Sequence, residues 1–197
     1  MTKVHPNAAA PETKIPTVSG DGAAVALTVW RRSLLFNGKG FTVFDAKGNL
    51  VFRVDDYASG SRGEVVLMDA AGNPLLTIRR KKLSLSERWI VYKGEEVGGE
   101  PLFSVRKHVT LLPSPALAHV TGGYAVEGSY ARRSVAVYDA SRRPIAAVEA
   151  KGAAVGPDVF RLVVAPAFDA AAAMAIVILL DRMFAPAAPS FSPGKPR

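Results

Sequence analysis

At 197 residues with 49% apolar side chains, the chain can fill the core of one domain. It contains no cysteine, which excludes a disulfide framework and a thiolate metal site and fits a reducing compartment. The net charge is +8, of which residues 1–24 contribute nothing and Lys195 and Arg197 contribute two, leaving +6 on residues 25–184. A basic body favours phosphates, acidic lipid or nucleic acid as partners without choosing among them.

Residues 1–24 are interrupted by Pro6, Pro11 and Pro16 and have no apolar run of signal-peptide length, so a disordered lead is expected. Ala26-Leu-Thr-Val-Trp30 reads as a first strand. Two strand-turn-strand copies follow, Phe41–Val54 and Glu64–Ile78. Asp45 and Asp69 open their turns, where a carboxylate accepts a backbone N–H. Gly48 and Gly72 come three residues later, where a left-handed residue closes a type I turn with a bulge. A third copy, Ser134–Val148, has Arg142 in the glycine position, so its loop is expected to be built differently.

Between the second and third copies the apolar positions change phase. Leu76 and Ile78 are even, whereas Leu83, Leu85, Trp89 and Val91 are odd, which predicts a bulge or kink at Arg79-Arg-Lys-Lys82. Pro101–His108 reads as a strand, Thr110–Gly123 as a loop, and Tyr124–Tyr130 and Asp158–Val164 as further strands. Trp30, Trp89, Phe41, Phe44, Phe52 and Tyr138 are assigned to the core.

Ala170 to Leu180 then carries no polar side chain. A helix apolar all round must be buried on every side, and this run is short of the ~20 residues that cross a bilayer. Asp169 is placed to cap its N-terminus, Arg182 suits its last turn, and Pro186 stops it. Many short antiparallel strands can wrap such a helix as a closed barrel. The alanines at 170–173 are expected to let strands approach closely at that end. Residues 185–197 read as a Pro-rich mobile tail.

LTVWRRSLLFNGKGFTVFDAKGNLVFRVDDYA, LLTIRRKKLSLSERWIVYKGE, VEGSYARRSVAVYDASRRPIAAVEAK and DVFRLVVAPAFDAAAAMAIVILLDRMF occur in that order. Together they resemble the plant LURP-one-related proteins over about residues 25–184. The resemblance implies the tubby C-terminal-like fold, a twelve-stranded barrel around one hydrophobic C-terminal helix, related to tubby proteins and phospholipid scramblases. It further implies phosphoinositide head groups as a ligand class and a role in plant defence.

No catalytic constellation is visible. His5, His108 and His119 have no metal-ligand spacing, and Ser129, Ser134 and Ser141 lack a nucleophile elbow. The pairs Asp55-Asp56 and Glu95-Glu96 would point to opposite faces of a strand. Gly38-Lys-Gly40 precedes a strand, unlike a phosphate loop. The expectation is a non-enzymatic protein with no metal and no cofactor.

The most informative polar feature is Arg79, Arg80, Lys81 and Lys82, with Arg88 and Lys93. A solvated edge that resists strand pairing is one reading; a phosphate-clamping site for inositol-phosphate head groups is the other. Nucleic acid is disfavoured, because no aromatics interleave with the basic residues. Arg31-Arg32, Arg106-Lys107, Arg132-Arg133 and Arg142-Arg143 are further basic pairs whose place in space the chain order leaves open. The expected function is reversible attachment to anionic membrane in defence signalling, with a lipid-independent protein-interaction factor as the alternative. The expected location is the cytoplasm, at the periphery of the plasma membrane, with the nucleus as a second compartment.

Overall fold

The computed structural model describes residues 22–34, 40–55, 63–81, 87–95, 99–152 and 155–185. Twelve strands precede one helix. They are β1 (Val25–Trp30), β2 (Gly40–Phe44), β3 (Leu50–Asp55), β4 (Glu64–Asp69), β5 (Pro74–Arg80) and β6 (Arg88–Lys93). β7 (Phe103–Lys107), β8 (Ala116–Val120), β9 (Tyr124–Ser129), β10 (Ser134–Tyr138), β11 (Pro144–Ala150) and β12 (Val159–Val164) follow, then α1 (Ala170–Phe184). Each strand pairs antiparallel with the next, and β12 returns to pair with β1. This is the closed barrel expected, and closure leaves no sheet edge.

α1 lies along the barrel's interior. Ala173 through Leu180 are each at most 2% exposed, packed against inward side chains such as Val29, Leu67, Ile78, Val91 and Phe160. The Asp169 carboxylate accepts from the Ala172 backbone N–H at 2.7 Å, and Arg182 lies in the last turn, as expected. Among the described residues no helix is long and apolar enough to cross a membrane.

The three repeated hairpins share one turn. Gly48 and Gly72 have φ of 85° and 94°, and each donates its N–H to the carbonyl of the aspartate three residues back. A register shift follows in both hairpins. The third hairpin corrects the expectation drawn from its missing glycine. Arg142 itself adopts φ 63°, its N–H donates to the Asp139 carbonyl at 2.9 Å, and the same shift appears. Its guanidinium lies 4.5 Å from the Tyr138 ring centre and clasps both Glu127 carboxylate oxygens, which holds a residue with a Cβ in the left-handed region.

Other expectations are also corrected. The phase change at Arg79-Arg80 is a hairpin, with no bulge among the described residues. β5 and β6 pair without a shift from Leu76↔Lys93 to Arg80↔Trp89, so inward residues are even on one strand and odd on the other. Residues 110–123 are not all loop, because β8 lies within them. Trp89, Phe41 and Phe52 are core, but Trp30 is 42% exposed, and Phe44 and Tyr138 are half-buried. Leu27 and Val29 point inward, so Trp30 has the outward parity; Tyr138 has it beside Val135 and Val137. Near the start of α1, Ala172 and Ile176 line a cavity of about 440 Å³ together with Phe103, Tyr124 and Phe168 among others. Pro186, Leu83 and Leu85 lie outside the described residues, as do 1–21 and the tail from 186.

Candidate functional site

An up-and-down barrel places alternate connections at alternate ends. The connections after β1, β3, β5, β7, β9 and β11 lie at the end where α1 finishes; the others lie where it starts. Lys107 on β7 marks the first end, since its ammonium donates to the Met183 carbonyl and sits 4.7 Å from the Phe184 ring centre.

This geometry sorts the charges. The starting end of α1 has the three aspartate turns and Asp169. Asparagine side-chain and backbone N–H groups hold the Asp45 and Asp69 carboxyls below their usual range. Backbone and side-chain bonds from Arg143 do the same for Asp139. Arg142 and Arg143 are at this end and are engaged by Glu127 and Asp139, so they do not join the other basic residues. Lys93 is also displaced. It ends β6 opposite Leu76, five residues and about 17 Å from Arg88.

The finishing end of α1 collects Arg80, Lys81, Arg88, Arg106, Lys107 and Arg132. Pairing makes part of this a row. The Lys81 N–H donates to the Arg88 carbonyl at 2.9 Å, Arg88 stands opposite Arg106, and Arg106 stands opposite His119. Trp89, Val91, Val105, Ala118 and Val120 are the buried apolar residues of these strands, and Arg88, Arg106 and His119 alternate with them, so the basic side chains have the outward parity. Three strand spacings place the row within about 14 Å. Among the described residues, no carboxylate pairs within 4 Å of Lys81, Arg88 or Arg106, and Arg88 donates instead to the Ser104 hydroxyl at 3.0 and 3.2 Å. Arg79 is paired with Glu64, and Arg80 lies 4.0 Å from Glu87. Lys82 lies outside the described residues. The predicted group of six is thus split: Lys81 and Arg88 share the row, Arg79 and Arg80 flank it with acidic partners, and Lys93 is at the far end.

Arg106, one of the basic pairs whose place the chain order leaves open, joins the row, whereas His119 and His108 are the residues that sequence reasoning misses. His108 Nδ1 lies 3.0 Å from His119 Nε2, a pairing that needs β8, which was read as loop. Behind the row, basic side chains are used structurally. Arg31 pairs with Asp181 at 2.7 Å, and the Tyr130 hydroxyl donates to the same carboxylate at 3.0 Å. Burial draws the Arg31 guanidinium down, but Asp181 outweighs it and the net shift is upward. Burial, and then the Asp181 charge, push the Tyr130 phenol up. Arg133 is buried between the Tyr130 and Phe160 rings, 4.3 Å from each centre, with Nε donating to the Pro157 carbonyl. The Asp181 contacts tie α1's last turn to the chain just after β1 and just after β9.

The LURP-one-related family pattern matches residues 25–181, from the first strand into the last turns of the helix. The Arabidopsis thaliana protein LURP-one-related 8 is 46% identical over 196 residues, covering 93% of this chain and 98% of its own length. The chain belongs to the LURP-one-related family. Arabidopsis LURP-one-related 5 is 43% identical across 83% of this chain and 85% of its own length. The X-ray structure of another Arabidopsis thaliana protein superposes with a TM-score of 0.62 at 24% identity, covering 81% of this chain and 90% of that one, which shows the shared fold. The basic row of this LURP-one-related chain is therefore carried on a tubby-like barrel.

Proposed function

We propose that this LURP-one-related protein is a non-catalytic binding module that attaches reversibly to anionic, phosphoinositide-containing membrane through the finishing end of α1. The observation carrying the reading is the outward row Lys81–Arg88–Arg106–His119. Lys81, Arg88 and Arg106 on neighbouring strands present donors at a spacing that suits phosphate oxygens, and arginine can grip them in bidentate fashion. Each basic residue near an anionic surface is worth about 1 kcal/mol, so attachment of this kind is weak, peripheral and salt-sensitive. The setting we assign is defence signalling in the cytoplasm beside the plasma membrane, on the strength of the family resemblance.

The test is co-sedimentation of the full chain with vesicles of phosphatidylcholine alone or mixed with phosphatidylserine and phosphatidylinositol bisphosphate. Binding should require the anionic lipids, weaken as salt rises, and fall at least about tenfold in Lys81→Glu/Arg106→Glu. Equal sedimentation with phosphatidylcholine alone would refute the reading. A second reading, a protein-interaction factor with no lipid ligand, draws on the apolar side chains exposed after β7. Recovery of a stoichiometric partner, indifferent to the charge reversal, would favour it.

A further inference from the structure

The described exposed large hydrophobics are unevenly placed. Val25 and Leu102 lie at the starting end of α1, whereas Trp30, Leu34, Val109, Leu111, Leu112 and Val155 lie at the finishing end, which also carries the basic row. The connection between β7 and β8 is the extreme case. Val109 is 77% exposed, Leu112 76% and Leu111 104%, so the leucine pair stands clear of its neighbours. From Val109 to Ala118 no side chain is charged, while Arg106, Lys107, His108 and His119 flank the stretch.

Its base is held by hydrogen bonds. The His108 N–H donates to the Leu117 carbonyl and the Gly128 N–H to the Pro115 carbonyl, both at 2.8 Å. Nearer the tip the Leu112 N–H donates to the Thr110 hydroxyl, and where the loop enters β8 the Ala116 N–H donates to the Ser114 hydroxyl, both at 3.2 Å. Leu111 and Leu112 are thus presented on a loop with a pinned base.

We infer that Val109, Leu111 and Leu112 form an apolar wedge that enters the headgroup–acyl boundary of an anionic membrane, with Lys81, Arg88 and Arg106 on the surrounding phosphates. This rests on the attachment reading above and adds how the protein is oriented and held. Isolated protruding tips at the same end as the Lys81–Arg88–Arg106 row suit a bilayer, which closes around each tip, better than a protein interface. The core of a protein interface is a contiguous patch depleted in lysine. Apolar insertion and charge attraction are individually marginal and together sufficient for stable attachment.

The chain has no cysteine, so Leu111→Cys can carry a single polarity-sensitive NBD label in the full-length protein. On phosphatidylcholine vesicles that contain phosphatidylserine and phosphatidylinositol bisphosphate its emission should shift to the blue and be quenched by nitroxides on the acyl chains. The same label at Ala71→Cys, in the turn between β4 and β5 at the other end, should show neither change. Leu111→Ser/Leu112→Ser should weaken vesicle binding about tenfold or more with an unchanged thermal melt. Vesicle binding with no quenching at 111 overturns the wedge and leaves attachment through the basic row standing. Absence of vesicle binding overturns both. Capture of a stoichiometric protein through Leu111, without quenching by lipid, assigns the loop to a protein and also overturns the wedge.

Discussion

Replacing Leu179 by alanine probes the enclosure of α1 without touching the surface. Leu179 is 0% exposed, in the middle of the helix and surrounded by barrel side chains. The change removes three carbons, about 2.4 kcal/mol at about 0.8 kcal/mol each. A barrel closed by hydrogen bonds around its whole circumference cannot collapse far inward, so a cavity penalty adds to this and the total should reach about 3–5 kcal/mol. Against a usual total stability of about 5–15 kcal/mol, that is a large fraction, and it should lower the melting temperature by roughly 6 to 20 °C. Urea denaturation is the assay. The midpoint should fall while the slope stays constant, the mark of a stability change rather than a change in compactness. Leu111→Ala, at a fully exposed position, is the control and should leave the midpoint near its original place. A loss below about 1 kcal/mol at Leu179 would refute tight enclosure, because that little would mean the helix face is wet or loosely covered.

Arg142 holds a left-handed φ of 63°, so Arg142→Gly should preserve the third hairpin, whereas Arg142→Val, β-branched, should lower the melting temperature clearly; equal melts for the two would contradict the turn described. The carboxyls of Asp45, Asp69 and Asp139 are depressed by hydrogen bonds in the folded protein. The unfolded chain therefore binds more protons than the folded one between the folded values and the ordinary aspartate value of about 3.9. The stability they provide is present above that value and lost as the pH falls through the folded ones; NMR titration of the three carboxyls should show all of them below the ordinary value. Gly128 has φ 119°, and a Cβ there would meet the Ser134 carbonyl oxygen at 2.2 Å. Gly128→Ala should therefore cost at least about 2 kcal/mol in urea denaturation, and a neutral result would mean that β9 and β10 are not so closely paired.

The barrel was legible because its signals were local. The Asp-x-x-Gly turns at 45–48 and 69–72 announce hairpins, and an apolar run from Ala170 with Asp169 before it announces a capped, buried helix. Where reading failed, the deciding fact was not local. β8 is five residues long, two of them alanine, and follows Pro113 and Pro115, so composition spoke for a loop; pairing with β7 and β9 makes it a strand. Arg142 follows the glycine pattern only because Glu127, on the neighbouring strand β9, and Tyr138 hold it. Trp30 fits an inward face only if the alternation is counted from the other parity, and Leu27 and Val29 set the one that turns it out.

The basic site shows the same division. Arg79 to Lys82 form a run in the chain, but strand order and register decide which charges meet. They set Lys81 and Arg88 beside Arg106 and His119, supply Arg79 and Arg80 with carboxylates, and carry Lys93 to the opposite end. The wedge was illegible for a related reason. A loop from Thr110 is legible, but nothing local says whether the apolar side chains of Val109, Leu111 and Leu112 fold back onto the barrel or stand out from it.

The central claim is that one end of the barrel meets the membrane and the other does not. Amide hydrogen exchange of the full chain with and without phosphatidylserine vesicles measures this directly. New protection is expected in residues 107–116 and 130–133 at the finishing end of α1, and none in the turns 45–49, 70–73 and 139–143 at the starting end. Protection of those aspartate turns, or no protection anywhere under conditions of bound vesicles, would contradict it.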